Sequence, residues 1–386
     1  MTVNLQTIFG PAISGRAVTD VLFVSPSGEP NQFEIPPQNV YTSLSDALDA
    51  ASTDANDCTL ILVSPTLTFY DIDRTGNPTW AGNYEIFGTH RIWAPVRNNH
   101  LGATSVMNFS GKAAIRDLAI FTEDAVNGVS FSGNGWRIRK CGFNSTGLTG
   151  AATSIHIDGS AALTRGAIME DVEILGHVTH TTGIHIENST INKFHGVSIH
   201  DCLVGILFDG AAPAKNEFRE VDIGGCALGV DIDTGSDQHF MDLYFHENTR
   251  NVDDEVGDHE WLNIRGEFDI YILPINFAGV TVLTGAGNHN YGLDTELVAL
   301  NAIDNPFRIV GTNFEPAANE WYAVRFTQAA GPPYYDEVMF DGTKREGLAA
   351  PSGTEHIFNA DTRISCSGCS ETGGNNVNIW VEIQEI

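Results

Sequence analysis

Between residues 115 and 252 the apolar and polar positions repeat as a two-part phrase, written six times. The first part is apolar-x-x-apolar-x-apolar and opens at Ile115, Ile138, Met169, Phe194, Phe218 and Phe240. The second part, usually opened by glycine, occupies 128–131, 154–157, 183–186, 205–208, 229–232 and a degenerate 251–254. Successive openings lie 23, 31, 25, 24 and 22 residues apart, the length of one coil of a solenoid built from short strands and turns. Apolar residues alternate with polar ones inside each phrase, and β-branched and aromatic types dominate. Helical i, i+3, i+4 spacing is absent, so the coils are β and half-buried. One strand cannot bury its apolar face alone, so each coil must stack on the next. The chain's 39 glycines, with asparagine, supply the positive backbone angles of tight corners.

Outside the repeat the pattern changes. Residues 42–51 predict a helix with Ser/Thr capping choices and with Leu44, Ala47, Leu48 and Ala51 on one face; the apolar strand 59–63 follows it. Residues 1–40 hold one strand, 21–24, between Gly/Pro-rich stretches and read as an extended arm. Beyond about residue 276 no coil phrase remains. Strands of ordinary length are expected around 307–310, 322–326 and 363–366, and the strict alternation of 377–383 predicts a paired terminal strand.

The coil phrases, the helix-then-strand opening and the strand-rich C-terminal part together resemble a right-handed parallel β-helix, the pectate-lyase-like solenoid of polysaccharide enzymes and phage tailspikes. The resemblance covers residues 41–275. It implies an all-β chain: an N-terminal arm (1–40), a capping helix opening the β-helix, and a C-terminal β-sandwich or jelly-roll-like domain (276–386). Right-handedness comes from the resemblance and from the general chirality of parallel crossovers.

Composition narrows the partners. A net charge of −29 and the absence of a basic run exclude a nucleic-acid partner. No stretch of about twenty apolar residues predicts a membrane span. Residues 1–15 lack the pattern of a secretory signal, so folding in a cytoplasm is expected. Six cysteines in 386 residues do not make a disulfide scaffold. Cys202 and Cys226 occupy equivalent places in successive coils and are expected to stack as buried thiols, with a disulfide between them as the alternative. Cys366 and Cys369 form a lone CxxC expected on a hairpin.

Columns of outward side chains carry the candidate chemistry. The place before the last apolar residue of the first phrase holds Ala119, Gly142, Glu173, Ser198, Asp222 and Tyr244. Glu173 and Asp222 are two coils apart, about 9.6 Å at the backbone, near the carboxyl separation of inverting glycosidases. A solvated acidic flank produces the same pairing. The outward column of the second phrase holds Ser130, His156, His185, Leu207, Asp231 and Asp253. With His177 and His180 nearby, its histidines suit a metal site, a pH sensor or a plain imidazole ladder. Asp253, Asp254 and Asp258 offer oxygen ligands for calcium or form a solvated turn. No Gly-His-Gly, arginine-rich pectate-lyase phrase, Gly-x-Ser-x-Gly or catalytic-cysteine phrase occurs. No cofactor is expected.

The spike resemblance implies a homotrimeric virion surface protein, tailspike or head decoration, made in the host cytoplasm. Its arm would dock on other virion proteins, and its flank or terminal domain would contact host polysaccharide. Two alternatives stay open. One is a polysaccharide depolymerase, hydrolase or lyase, with Glu173, Asp222, Asp231 and Asp242 as candidate carboxylates. The other is a cement protein with no host ligand.

Overall fold

The computed structural model describes residues 18–28, 35–51, 53–54, 57–66, 68–72, 79–88, 94–97, 105–122, 126–146, 150–160, 163–210, 213–254, 256 and 259–266. Beyond these it describes 270–273, 283–286, 295–298, 306–314, 320–327, 338–341, 357–358, 362–370 and 379–385. Two units divide the chain, 1–250 and 251–386.

The first unit is a parallel β-solenoid with three faces. The first face runs from Asp20–Val24 through Thr59–Val63, Tyr84–Gly88, Ala113–Arg116 and Arg137–Arg139 into the leading halves of Ile168–Leu175 and Lys193–His200. It ends on Glu217–Arg219 and His239–Met241. The second face stacks Tyr70–Asp71, Pro95–Arg97, Ala119–Phe121, Gly142–Asn144, the trailing halves of the same two long strands, Asp222–Gly224 and Tyr244–His246. The third stacks Thr79–Trp80, Ser105–Phe109, Asn127–Phe131, Ala152–Asp158, Thr181–Glu187, Val204–Asp209 and Leu228–Ile232. Every one of these pairings is parallel.

Each first phrase therefore spans two faces, hinged at its second x. That hinge is Asp117, Lys140, Asp171, Gly196, Glu220 or Asp242, all at positive φ between 52° and 62°. The corners were expected to use Gly and Asn. They do so at Gly196 and at other turns, among them Gly135, Gly166, Asn188, Gly210 and Gly225, whereas Asp, Glu or Lys serves at the remaining hinges because a single left-handed residue costs only about 1–2 kcal/mol. Inside, the phrase's apolar residues form continuous stacks. Phe194, Phe218 and Phe240 are fully buried, with ring centroids 4.3 and 5.2 Å apart. Ile184 and Val230 are likewise 0% exposed.

The glycines that open the second phrase have a steric cause. A Cβ on Gly183 would lie 2.5 Å from the Gly205 carbonyl oxygen, and one on Gly205 would lie 2.4 Å from that of Gly229. At the corner entering the first face, a buried amide ladder joins the coils. Asn192 Nδ2 donates to Asn216 Oδ1 at 2.8 Å, and Asn216 Nδ2 donates to Gln238 Oε1 at 3.0 Å.

The helix is Leu44–Ala50, with the Ser43 hydroxyl accepting from the Asp46 N–H. Leu44, Ala47, Leu48 and Ala51 are all buried, as their common face requires. Asp20–Val24 was expected within an arm. It is paired along its whole length, in parallel, with Thr59–Val63, so among the described residues parallel pairing already includes this strand. Residues 1–17 lie outside the described residues.

In the second unit the strands pair mainly antiparallel. Ile379–Glu385 lies between Ile270–Leu273 and Phe307–Phe314. Arg363–Ser370 pairs antiparallel with Glu320–Thr327 and Thr295–Val298, and parallel with Leu283–Ala286. Because Ile270–Leu273 joins this terminal sheet, a 275/276 boundary cuts behind it; the compact units part at 250/251. Arg363–Ser370 runs unbroken through Cys366 and Cys369, so the CxxC is on a strand and not on a hairpin. No helix among the described residues is long and apolar enough to cross a membrane.

Candidate functional site

The second face brings Glu173, Ser198, Asp222 and Tyr244 into one outward column, rung by rung. Two residues further along the same strands a second outward column holds Leu175, His200, Gly224 and His246. The two columns meet around Asp222. His246 Nε2 lies 3.1 Å from Asp222 Oδ1, and His200 Nε2 lies 3.8 Å from Asp222 Oδ2. The Ser198 hydroxyl is 2.6 Å from His200 Nε2.

Gly224 makes this convergence possible. Its rung lies between those of His200 and His246, and a Cβ there would stand 2.1 Å from His246 Cε1 and 2.3 Å from its Nε2. Without a side chain at 224, the His246 ring folds over the gap. Tyr244, itself 47% exposed, stacks on that ring with centroids 5.2 Å apart. The patch thus combines two imidazoles, a carboxylate, a hydroxyl and a phenol ring on an open flank. It can accept and donate hydrogen bonds, stack on an apolar ring face, or ligate a cation. Sequence reasoning placed Asp222 and Tyr244 here but missed both histidines. The available signal was that each directly follows the last apolar residue of its first phrase, Ile199 or Phe245.

On the third face His156 and His185 stack with centroids 4.7 Å apart and planes 10° from parallel. Two residues on, Asp158, Glu187 and Asp209 form a carboxylate column. Each histidine reaches the carboxylate one rung ahead: His156 Nε2 to Glu187 Oε2 at 3.3 Å, and His185 Nε2 to Asp209 Oδ1 at 2.7 Å. Burial, and then the neighbouring His185, hold the His156 pKa below its ordinary value, against the pull of Asp158 and Glu187. His177 and His180 stack on each other at 4.9 Å, and no ligand cluster among the described residues includes them.

The remaining candidates are dispersed. Glu173 is exposed, and Ser198 stands between it and Asp222 in the column. Asp231 faces outward on the third face beside Leu207. Asp242 is a positive-φ corner residue 4.0 Å from Arg219 Nε. Asp253 is half-buried, whereas its neighbour Asp254 is buried, accepts from the Val256 N–H and lies 3.5 Å from His259 Nε2. Consecutive strand residues face opposite ways, so these two carboxylates do not converge; Asp258 lies outside the described residues. Arg116 and Arg139 share a rung position, with Arg116 bound to Asp117 at 2.8 Å and Arg139 3.5 Å from Glu170. This is a surface charge ladder.

Cys58, Cys141, Cys202 and Cys226 are buried. Burial pushes the Cys141 thiol up to about 12. Cys202 is also raised, first by its hydrogen bond with Cys226 and then by burial.

No family model matches the sequence, and no curated protein matches it. Among solved structures the chain is similar to pectin methylesterase PemA from Erwinia chrysanthemi, at 13% identity and a TM-score of 0.38, covering 61% of this chain and 81% of that one. It is similar to ORF18 of Geobacillus virus E2, at 11% identity and a TM-score of 0.31, covering 82% and 72%. It is also similar to tailspike protein 2 of an Escherichia coli O157:H7 bacteriophage, at 10% identity and a TM-score of 0.28, covering 88% and 68%. By the register of its own strands, the chain is an all-β protein whose first unit is a parallel β-helix.

Proposed function

We propose that this protein is a virion surface spike that presents the second face of its solenoid to host polysaccharide. The observation that carries the reading is the patch around Asp222. On the second face, stacked coils hold an exposed Tyr244 beside half-buried Asp222, Ser198, His200 and His246. Polysaccharides need this combination, because hydroxyls require in-register donors and acceptors while a pyranose face stacks on an aromatic ring. The net charge of −29 favours neutral or cationic glycans over anionic ones. In this reading the helix Leu44–Ala50 covers the first coils, residues 1–17 dock on the particle, and the two terminal sheets pack as a sandwich. Three chains associate side by side. Leu163 and Ile191, 51% and 53% exposed, are apolar groups that such association would bury.

Isothermal titration with host-surface polysaccharide tests the reading. Saturable binding weakened at least tenfold by Tyr244→Ala supports it. Retention on purified particles without any glycan binding selects a cement protein instead. A depolymerase is favoured by one feature, the shared column of Glu173 and Asp222 at about 9.6 Å. Release of reducing ends, lost in Glu173→Gln or Asp222→Asn, would establish it.

A further inference from the structure

We infer that His200, Asp222 and His246 form a binding site for one divalent transition-metal ion of the zinc type. The inference does not depend on the function proposed above. One ligand atom from each residue, an imidazole nitrogen or a carboxylate oxygen, lies within 4.8 Å of the other two. Ligands about 2.0 Å from a tetrahedral ion stand about 3.3 Å apart. Asp222 Oδ1 lies 3.1 Å from His246 Nε2 and Asp222 Oδ2 lies 3.8 Å from His200 Nε2, so each imidazole stands within about half an ångström of that spacing from one of the two carboxylate oxygens. Small side-chain rotations complete the set.

Two further observations point to an ion and not merely to an ion pair. Asp222 Oδ1 is buried and faces His246 Nε2 at 3.1 Å, yet it has no aligned hydrogen-bond donor. A cation between the two groups would satisfy both. Second, the rung between the histidines is glycine, and any side chain there would occupy the space into which the His246 ring folds. The cluster on the third face, His156 with Asp158 and Glu187, offers a single imidazole, and that one is already aligned to hydrogen-bond Glu187 Oε2.

The donor chemistry selects the ion. Two imidazoles with one carboxylate suit zinc, cobalt or nickel, whereas calcium and magnesium require oxygen shells. Three protein ligands leave a fourth position open. Metal entry replaces the Ser198 contact at His200 Nε2, which leaves the hydroxyl free to bond a water on the ion. The strongly acidic surface concentrates cations at the site. The bound ion would clamp rungs from three successive coils.

The test is titration of chelator-treated full-length protein with Co(II), followed by visible absorption, and with Zn(II), followed by calorimetry. The expected result is one ion per chain and a tetrahedral Co(II) spectrum that a large excess of calcium does not displace. His200→Gln, Asp222→Asn and His246→Gln each weaken binding at least tenfold. Gly224→Ala does the same without removing a ligand, and His185→Gln leaves affinity unchanged. Circular dichroism on each variant separates lost ligation from lost folding. Should one variant unfold, the remaining ligand variants decide. Absence of stoichiometric binding, or wild-type affinity in folded His200→Gln and His246→Gln, overturns the inference.

Discussion

The imidazoles of His200 and His246 lie 5.5 Å apart, centroid to centroid, although a complete coil separates their rungs. Backbone spacing alone would hold them about 9.6 Å apart. The difference is made by Gly224, over which the His246 ring leans. In this solenoid, function-bearing neighbours are set by register and also by which rungs lack a side chain.

The same logic makes Gly205 structurally critical. Its missing Cβ would meet the backbone carbonyl of Gly229 at 2.4 Å, and a backbone atom cannot swing away as a ring can. Gly205→Ala is expected to cost about 1–3 kcal/mol, the usual range for overpacking. A urea midpoint equal to that of wild type would contradict the steric account.

The amide ladder should be similarly sensitive. Asn216 Oδ1 accepts from both the Asn192 backbone N–H, at 3.1 Å, and the Asn192 side chain. Asn216→Ala leaves these buried donors without that acceptor, and each stranded group costs about 1–3 kcal/mol. Chemical denaturation should show a loss well above the roughly 0.5 kcal/mol typical of surface changes.

Stability should also depend on His156. Its pKa is depressed by burial and by His185, with Asp158 and Glu187 pulling the other way. The unfolded chain therefore takes up the proton first as pH falls. The stabilising contribution is complete above the unfolded value of about 6.5 and is lost as pH drops from there through the folded value. Between pH 7.5 and 5.5, wild type should lose more stability than His156→Gln in paired urea titrations. Equal losses would contradict the assignment.

Thiol labelling provides a separate check on the interior. Cys141 is buried with its pKa pushed up to about 12, and Cys202 is raised by Cys226 and by burial. Thiolate is the reactive form. Peptide mapping after iodoacetamide treatment should find both unmodified in native protein and both modified in guanidinium. Rapid native labelling of Cys141 would mean that the coil stack is not as packed as described.

Much of this architecture was legible in the sequence. The apolar phrase placed Ile184 and Val230 inside and aligned Glu173, Ser198, Asp222 and Tyr244 outside, because a period of two assigns each strand residue to a face. The strand at 21–24 was legible but its partner was not, because a strand bounded by Gly/Pro-rich stretches carries no mark of what it pairs with, and Thr59–Val63 lies far along the chain. The phrase could not reveal that Asp117 or Asp242 bends the strand, since no glycine marks those corners. The His200–Asp222–His246 cluster stayed hidden for a related reason. It depends on a ring leaning across an empty rung, which neither motif nor spacing encodes.

The account of this chain as a surface spike is tested most directly by its mass in solution. Sedimentation equilibrium should be run at high salt, where screening removes the mutual repulsion of chains each carrying −29. The account predicts a stable species of three times 41.7 kDa. A single species of 41.7 kDa across the accessible concentration range would contradict it.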